Sequence, residues 1–252
     1  MDYGLSGKNV LVTGSTKGLG EAIARILAGE GANLIISGRS KDEAERIAAQ
    51  IREKHGVKTT AIPADLGETG AADRLFDESV AALGSLDILV NNAGIWPTAY
   101  VREMEPEDFE KTMYVNLEVP YILSRRMVNH LMEREAKGKI IQIVSQAAFH
   151  GSTTGHAHYA ASKAGLVTFM KSLAREVAEY GINVNAVAPG MVETPMTKAA
   201  LEKKRDYYNS RIRVGRVAQP EEVASSVAFL ASDKADYLTG ITIDATGGML
   251  MR

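Results

Sequence analysis

Short apolar runs alternate with segments of helical period along almost the whole of this sequence, and a chain patterned that way has few ways to hide its apolar residues. Residues 9–14 (NVLVTG), 31–37 (GANLIIS), 59–65 (TTAIPAD), 86–92 (LDILVNN), 139–145 (KIIQIVS), 182–189 (INVNAVAP) and 240–245 (GITIDA) read as strands. Between them Leu19, Ala22, Ile23, Ile26 and Leu27 recur at helical spacing, as do Ala44, Ile47, Ala48 and Ile51. Longer helices are expected near 105–136 and 158–180, and a last one at 220–232. Strands with so few polar residues belong in a sheet covered on both faces, and the alternation is that of βαβ units. No linker, repeat or low-complexity segment interrupts it. The expectation is an α/β fold, a single doubly wound domain over residues 1–252 with about seven parallel strands flanked by helices. The least regular stretch, 193–215, is charged and aromatic and reads as a mobile excursion over a site.

Composition narrows the class of partner. Lys and Arg number 29 against 31 Asp and Glu, scattered along the chain, which argues against a nucleic-acid or membrane-surface footprint. The chain has no Cys, so disulfides and thiolate metal sites are excluded, and a reducing compartment suits it. The N-terminus lacks the apolar core of a secretory signal, and no stretch reaches the ~18 apolar residues of a membrane span. A cytoplasmic protein acting on small neutral molecules is expected. His156 and His158 could suggest a metal, but their loop offers no Cys or carboxylate beside them, so they read as pocket lining or exposed residues and no metal is expected.

Directly after the first strand comes TGSTKGLG, residues 13–20, opening the first helix. Gly14, Gly18 and Gly20 let the backbone turn tightly and approach a pyrophosphate, which the helix N-terminus attracts, with Ser15, Thr16, Lys17 and Leu19 completing the loop. The end of the second strand should then select the dinucleotide. A carboxylate there would take the ribose 2′-hydroxyl of NAD, whereas an arginine accommodates a 2′-phosphate. Here the sequence is SGRS: Gly38 leaves space, Arg39 supplies a fork of donors and Lys17 adds charge to the same corner. NADP(H) is expected in preference to NAD(H), which remains possible.

The glycine loop, NNAG (91–94), YAASK (159–163) and PGMVETP (189–195), in that order over nearly the whole chain, resemble the short-chain dehydrogenase/reductase family. The resemblance implies a Rossmann-like fold and an oxidoreductase that reduces a ketone, or oxidises the secondary alcohol, with a nicotinamide cofactor. Tyr159 and Lys163 lie four apart on a helix, so they share a face with Cβ atoms ~5–6 Å apart. An ammonium held near a phenol favours the phenolate and should lower its pKa from ≈10. In the family pattern Tyr159 is the acid that protonates the carbonyl oxygen, and Lys163 binds the nicotinamide ribose and tunes Tyr159. Ser145 matches the serine whose hydroxyl holds the substrate oxygen. Two departures stand beside it: Ser145 and Tyr159 are 14 positions apart where 13 is common, and Gln146 replaces the usual second serine. Ser145 is preferred because its strand aligns without a gap, and Gln146 is the alternative.

The same resemblance assigns the remaining positions. Asn116, in YVNLEVP, matches an asparagine that distorts its helix and holds a water leading to the lysine. Asp65 and Leu66 match contacts to the adenine edge, and Asn92, Ala93 and Gly94 the backbone beside the adenosine ribose. Pro189 and Gly190 would shape the nicotinamide floor, with the Val192 backbone and the Thr194 hydroxyl fixing the carboxamide. Thr246, Gly247 and Gly248 stand where the family often has Asp-Gly-Gly.

Trp96, Tyr100, Phe149, His150, His156 and Met191 are candidate pocket residues and suggest an apolar or aromatic ketone. A small-molecule carbonyl reductase ranks first. A 3-oxoacyl-acyl-carrier-protein reductase ranks second, because an acidic carrier would want clustered cations and the end of the catalytic helix reads EVAEYG. A non-catalytic NADPH-binding sensor is the alternative of a different class, and the intact set of Asn116, Ser145, Tyr159 and Lys163 argues against it. Small and apolar residues run around most of the helix 160–180, so a homo-oligomer, dimer or tetramer, is expected.

Overall fold

Alternate residues of each strand must find apolar cover on opposite sides, and two rows of helices provide it. The computed structural model describes residues 3–152 and 154–252. Among the described residues, β1 (Asn9–Val12), β2 (Asn33–Ile36), β3 (Thr59–Ala61), β4 (Ile88–Asn91), β5 (Gly138–Ile143), β6 (Ile182–Pro189) and β7 (Thr242–Ala245) form one parallel sheet ordered β3-β2-β1-β4-β5-β6-β7. On one face Val10, Val12, Leu34, Ile36, Ile88 and Val90 pack against helices α1 (Gly18–Gly29), α2 (Lys41–His55) and α9 (Pro220–Ala231). On the other, Leu11, Ile35, Leu89 and Ile140 meet α3 (Ala71–Leu83), α5 (Val119–Glu133) and α7 (Ala157–Val177). The period-2 alternation of the strands thus divides the apolar residues between two cores. This is the Rossmann-like, doubly wound architecture that the alternation implied.

Three segments differ from the sequence reading. Helix α3 fills a connection in which the reading placed no element. The helix expected near 105–136 is divided into α4 (Pro106–Met113), a π-helical turn (Tyr114–Glu118) and α5. The excursion at 193–215 is largely helical: α8 spans Lys198–Arg211, with a break at Lys204, whose φ of −143° and ψ of 32° lie outside the helical region. A one-turn helix, α6 (Ala147–His150), follows β5. None of the described helices is long and apolar enough to cross a membrane.

Gly138 opens β5, the strand whose end carries Ser145. A Cβ there would run into Leu131 Cδ1 and stand 2.8 Å from the Asp87 carbonyl oxygen. Leu131 is fully buried and Asp87 O is main chain, so neither yields freely. Gly138→Ala is expected to lower stability by about 1–3 kcal/mol, as overpacking does. Thermal denaturation should show this as a drop in Tm of several degrees, and an unchanged Tm would mean that Leu131 repacks without strain.

Candidate active site

The sheet order reverses between β1 and β4, and a crevice opens there beyond the carboxyl ends of the strands. The glycine loop lies at this point and is held from β4. Thr13 N donates to Val90 O at 3.1 Å, and the Thr13 hydroxyl oxygen accepts from the N–H groups of Asn92 (3.0 Å) and Ala93 (2.9 Å). In return, Asn92 Nδ2 donates to the carbonyls of Thr13 (2.9 Å) and Gly14 (3.1 Å). A Cβ on Gly20 would collide with Gly14 O and stand 2.5 Å from Asn92 Nδ2, so the start of α1 can sit against the turn only as glycine. Gly14 (φ 63°) and Gly18 (φ 57°) are in the left-handed region that the turn requires. Ser15 joins the loop to β2: its N–H donates to Ser37 O at 2.7 Å and its hydroxyl accepts from Ser37 N at 2.9 Å. Leu19 is partly buried against the α1 side of the sheet.

The corner expected to select the cofactor is open. A Cβ on Gly38 would stand 2.7 Å from the Thr16 side chain, so glycine is what lets the end of β2 close on the loop. Lys17 and Arg39 are both exposed, and neither side chain has a hydrogen bond or ion pair among the described residues. Ser40 is occupied as the N-cap of α2, accepting from Glu43 N at 3.3 Å. Asp65 is exposed and accepts from Gly67 N at 2.9 Å through one oxygen, while the Leu66 side chain is buried in the second core. Two unpaired cations beside a glycine loop suit an anion, and the donor set fits a dinucleotide phosphate.

At the other end of the crevice the chain brings Ser145, Tyr159 and Lys163 together. The Ser145 oxygen accepts from Ala147 N at 3.2 Å, leaving its proton to donate, and the hydroxyl is near enough to the Tyr159 phenol to influence its pKa. Gln146 Nε2 donates instead to the Met249 thioether. Lys163 is buried and donates from Nζ to Ile143 O at 2.8 Å, with Nζ 5.9 Å from the centroid of the Tyr159 ring. Burial pushes the Tyr159 phenol up from its usual value, and the Ser145 hydrogen bond works the other way. Lys163 is pushed down to about 8 by burial. The phenol of Tyr159 is thus pushed up where the sequence led to an expected lowering by Lys163, because burial is the largest influence on it.

Asn116 lies in the π-helical turn and is fully buried. Its Oδ1 accepts from Ile95 N at 2.8 Å, and its Nδ2 donates to Ile95 O (3.0 Å) and the Ser162 hydroxyl (3.2 Å), which in turn donates to Tyr159 O at 2.8 Å. Gly94 separates Asn116 from Lys163: a Cβ there would be 3.1 Å from Asn116 Oδ1 and 3.6 Å from Lys163 Nζ. The distortion anticipated at Asn116 is present, and Ser162 is the link that the sequence reading passed over inside YAASK. From β6, Pro189 O accepts from Gln146 N at 3.1 Å, and Gly190 packs where a Cβ would meet Thr246 Cα at 3.1 Å. Val192 is buried, its carbonyl accepting from the Thr197 hydroxyl, and the hydroxyls of Thr194 and Thr197 lie 3.2 Å apart. The Thr194 side chain lies 3.3 Å from where a Gly18 Cβ would be, so this loop closes over the glycine turn.

An aromatic wall flanks Tyr159. Trp96 stacks on His156 at 4.4 Å and meets the Tyr159 ring edge-on at 6.5 Å. His156 Nδ1 is 2.8 Å from Pro97 O, and Ala99 N donates to Gly155 O at 2.8 Å, so the two loops are clamped together. His158 is fully buried rather than lining the pocket, and Thr153 in the same loop lies outside the described residues. Among the described residues no group of three or more His, Cys, Asp or Glu is placed to hold a metal. Met191 is buried in a small cluster with Leu201, Ile212 and Val217, against which Met249 packs. Phe149 lies under the Arg252 guanidinium at 3.7 Å, while Tyr100 and His150 are exposed. The chain end thus enters the site region, a contribution that no sequence motif announced.

Fold and site together define a nicotinamide-dependent oxidoreductase of the Rossmann type. A family model described as enoyl-(acyl carrier protein) reductase matches residues 14–250. The 3-oxoacyl-[acyl-carrier-protein] reductase of Aquifex aeolicus is 40% identical over 249 residues, covering 99% of this chain and 100% of the relative. That of Escherichia coli is 39% identical over 245 residues, 97% and 98% of the two chains. Among solved structures, a Mycobacterium marinum short-chain type dehydrogenase/reductase superposes with a TM-score of 0.93 at 29% identity, covering 100% and 98%. A Beutenbergia cavernae protein assigned as an NAD(P)-dependent gluconate 5-dehydrogenase, with NADP bound at low occupancy, gives a TM-score of 0.93 at 35% identity over 99% of each chain. The chain belongs to the short-chain dehydrogenase/reductase family.

The burial of Lys163 has a direct reading in solution. Below about pH 8 its side chain is the ammonium and above it the neutral amine. In cofactor-free protein labelled at lysine Cε, one NMR resonance should titrate about two units below the exposed lysines and be missing from Lys163→Met. A spectrum in which every lysine titrates together near 10.4 would show that Nζ is hydrated.

Proposed function

We propose that the protein is an NADPH-dependent reductase of 3-oxoacyl thioesters presented by an acyl-carrier protein. This reverses the ranking reached from sequence, which put small-molecule ketones first. What carries it is the full-length identity of about 40% to curated 3-oxoacyl-acyl-carrier-protein reductases, in a chain that places Ser145 beside Tyr159. Donors at that place suit an oxygen that gains charge, and the 3-oxoacyl specificity of the full-length relatives favours a ketone over the enoyl group named by the family model. The argument against a carrier also weakens. A groove of about 390 Å³, lined by Ser210, Arg211, Arg213, Gly248, Met249 and Met251, opens between the end of α8 and the chain end, and Lys203 and Lys204 are exposed on the same helix. Basic and apolar residues there suit an acidic carrier and its acyl arm.

The glycine loop would hold the pyrophosphate, with Lys17 and Arg39 on the 2′-phosphate, Asp65 and Leu66 at the adenine, Asn92, Ala93 and Gly94 beside the ribose, and the segment from Pro189 to Thr194 around the nicotinamide. The bound cofactor supplies the hydride. Tyr159, kept protonated by burial, gives its proton to the ketone oxygen, and Ser145 donates a hydrogen bond to the same atom. Lys163, at about 8, exchanges protons readily near neutral pH, and Asn116 fixes the backbone behind it, which suits the pair to resupply Tyr159. The outer face of α7, with Ala161, Thr168 and Ser172 exposed and Tyr121 packed edge-on against Phe169, suits self-association. Light scattering should show a dimer or larger, and a monomer would remove that part of the reading.

The test follows absorbance at 340 nm with NADPH or NADH against acetoacetyl thioesters on carrier protein and on a small thiol, together with simple ketones and sugars. The carrier thioester should be reduced best. Tyr159→Phe should lose roughly 10²–10⁴-fold in kcat/KM while still binding NADPH. Arg39→Ala should raise the KM for NADPH about tenfold and leave that for NADH nearly unchanged. Reduction of small ketones alone restores the earlier ranking, and binding of NADPH without turnover of any substrate favours a sensor.

A further inference from the structure

Gln146 follows Ser145 directly, and its side chain is poorly satisfied for a group so placed. Only 8% of its surface is exposed. Nε2 donates to the Met249 thioether at 3.1 Å, and Oε1 is buried with no partner among the described residues. A thioether is among the weakest acceptors in a protein, and a buried amide oxygen left unmatched calls for an explanation. The main chain of Gln146 is well held, with N donating to Pro189 O at 3.1 Å, so the fold fixes the residue but leaves its amide uncommitted. On one side of it, Ser145 meets Tyr159. On the other, Met249 packs with Met191, Leu201, Ile212 and Val217 and lines the groove beneath Arg211 and Arg213. The amide therefore stands between the position of the ketone and the route by which the rest of an acyl arm would arrive.

We infer that Gln146 reads the second carbonyl of a 1,3-dicarbonyl substrate: Nε2 leaves the Met249 sulfur and donates to the thioester oxygen, two carbons from the ketone. Ser145 and Tyr159 can engage any ketone. Gln146 adds a hydrogen bond available only to a substrate that carries an oxygen at that spacing, and a site built to pair such an oxygen discriminates against analogues that lack it. Its partner in the resting protein is weak, so the exchange sacrifices little. The inference rests on the 3-oxoacyl reading and adds the residue that would enforce it.

The experiment compares kcat/KM with NADPH for the N-acetylcysteamine thioester of acetoacetate and for a methyl ketone of similar length, in wild type, Gln146→Met and Gln146→Ala. Fluorescence titration of NADPH reports whether each variant keeps its fold. The thioester-to-ketone ratio is expected to fall about tenfold in both variants, chiefly through KM for the thioester. A ratio that stays at the wild-type value, or an equal loss on both substrates, overturns the role of Gln146 while leaving the 3-oxoacyl reading in place. A wild type that shows no preference for the thioester overturns that reading, and the inference with it.

Discussion

Four hydrogen bonds between Thr13 and Gly14 on one strand end and Asn92 and Ala93 on its neighbour hold the place where the sheet changes direction. They satisfy main-chain groups that the parallel ladder leaves unpaired beyond its last residue, and they do so with a threonine hydroxyl and an asparagine amide rather than with water. The consequence runs in both directions. Towards α1, the turn is held tightly enough that Gly20 has no room for a Cβ. Towards α5, the chain after Asn92 is delivered to Gly94, which lies against Asn116 and Lys163. Phosphate cradle and reaction centre are thus positioned by one junction.

At the reaction centre, burial sets the chemistry against the simplest electrostatic expectation. An ammonium one turn from a phenol should favour the phenolate, yet partial burial of Tyr159 and full burial of Lys163 push each towards its neutral form. For the proposed reduction this is the useful state, since a proton donor must carry its proton. In the reverse direction of the proposed reaction, the positive ring of an oxidised nicotinamide would favour the phenolate.

Much of this was legible in the sequence for physical reasons that can be named. Residues 182–189 read as a strand, and β6 has those bounds, because a largely apolar run broken only by Asn183 and Asn185 suits a strand covered on both faces. The motif residues were legible because tight turns and close approach permit few residue types. Helix α3 was less legible, because Ala71, Ala72, Leu75 and Phe76 mark a short buried face and the helix opens after Gly70 with no side-chain cap to signal its start. The break between α4 and α5 was visible only as the asparagine of a family pattern, because a π-helical turn has no propensity signal of its own. Gln146 and Met249 are 103 positions apart, and no local pattern joins them.

Specificity is assembled from parts that the two main cores do not need. Met191, Leu201, Ile212 and Val217 form a cluster of their own under α8, separate from the residues that cover the sheet. The chain end is tied to it by local contacts: the Thr246 hydroxyl bonds the main chain of Leu250, and Arg252 pairs with Asp244 through two hydrogen bonds while covering Phe149. Residues in such a satellite can change with little effect on the sheet, because the contacts that stabilise the fold lie elsewhere. Ser145, two residues past β5, and Tyr159 and Lys163 on α7 stand instead on elements whose apolar faces are committed to the core. On the proposed reading one rigid proton-transfer centre serves whatever substrate the satellite admits, and the choice falls to polar groups between the two, among them the Gln146 amide with its Oε1 unpartnered among the described residues.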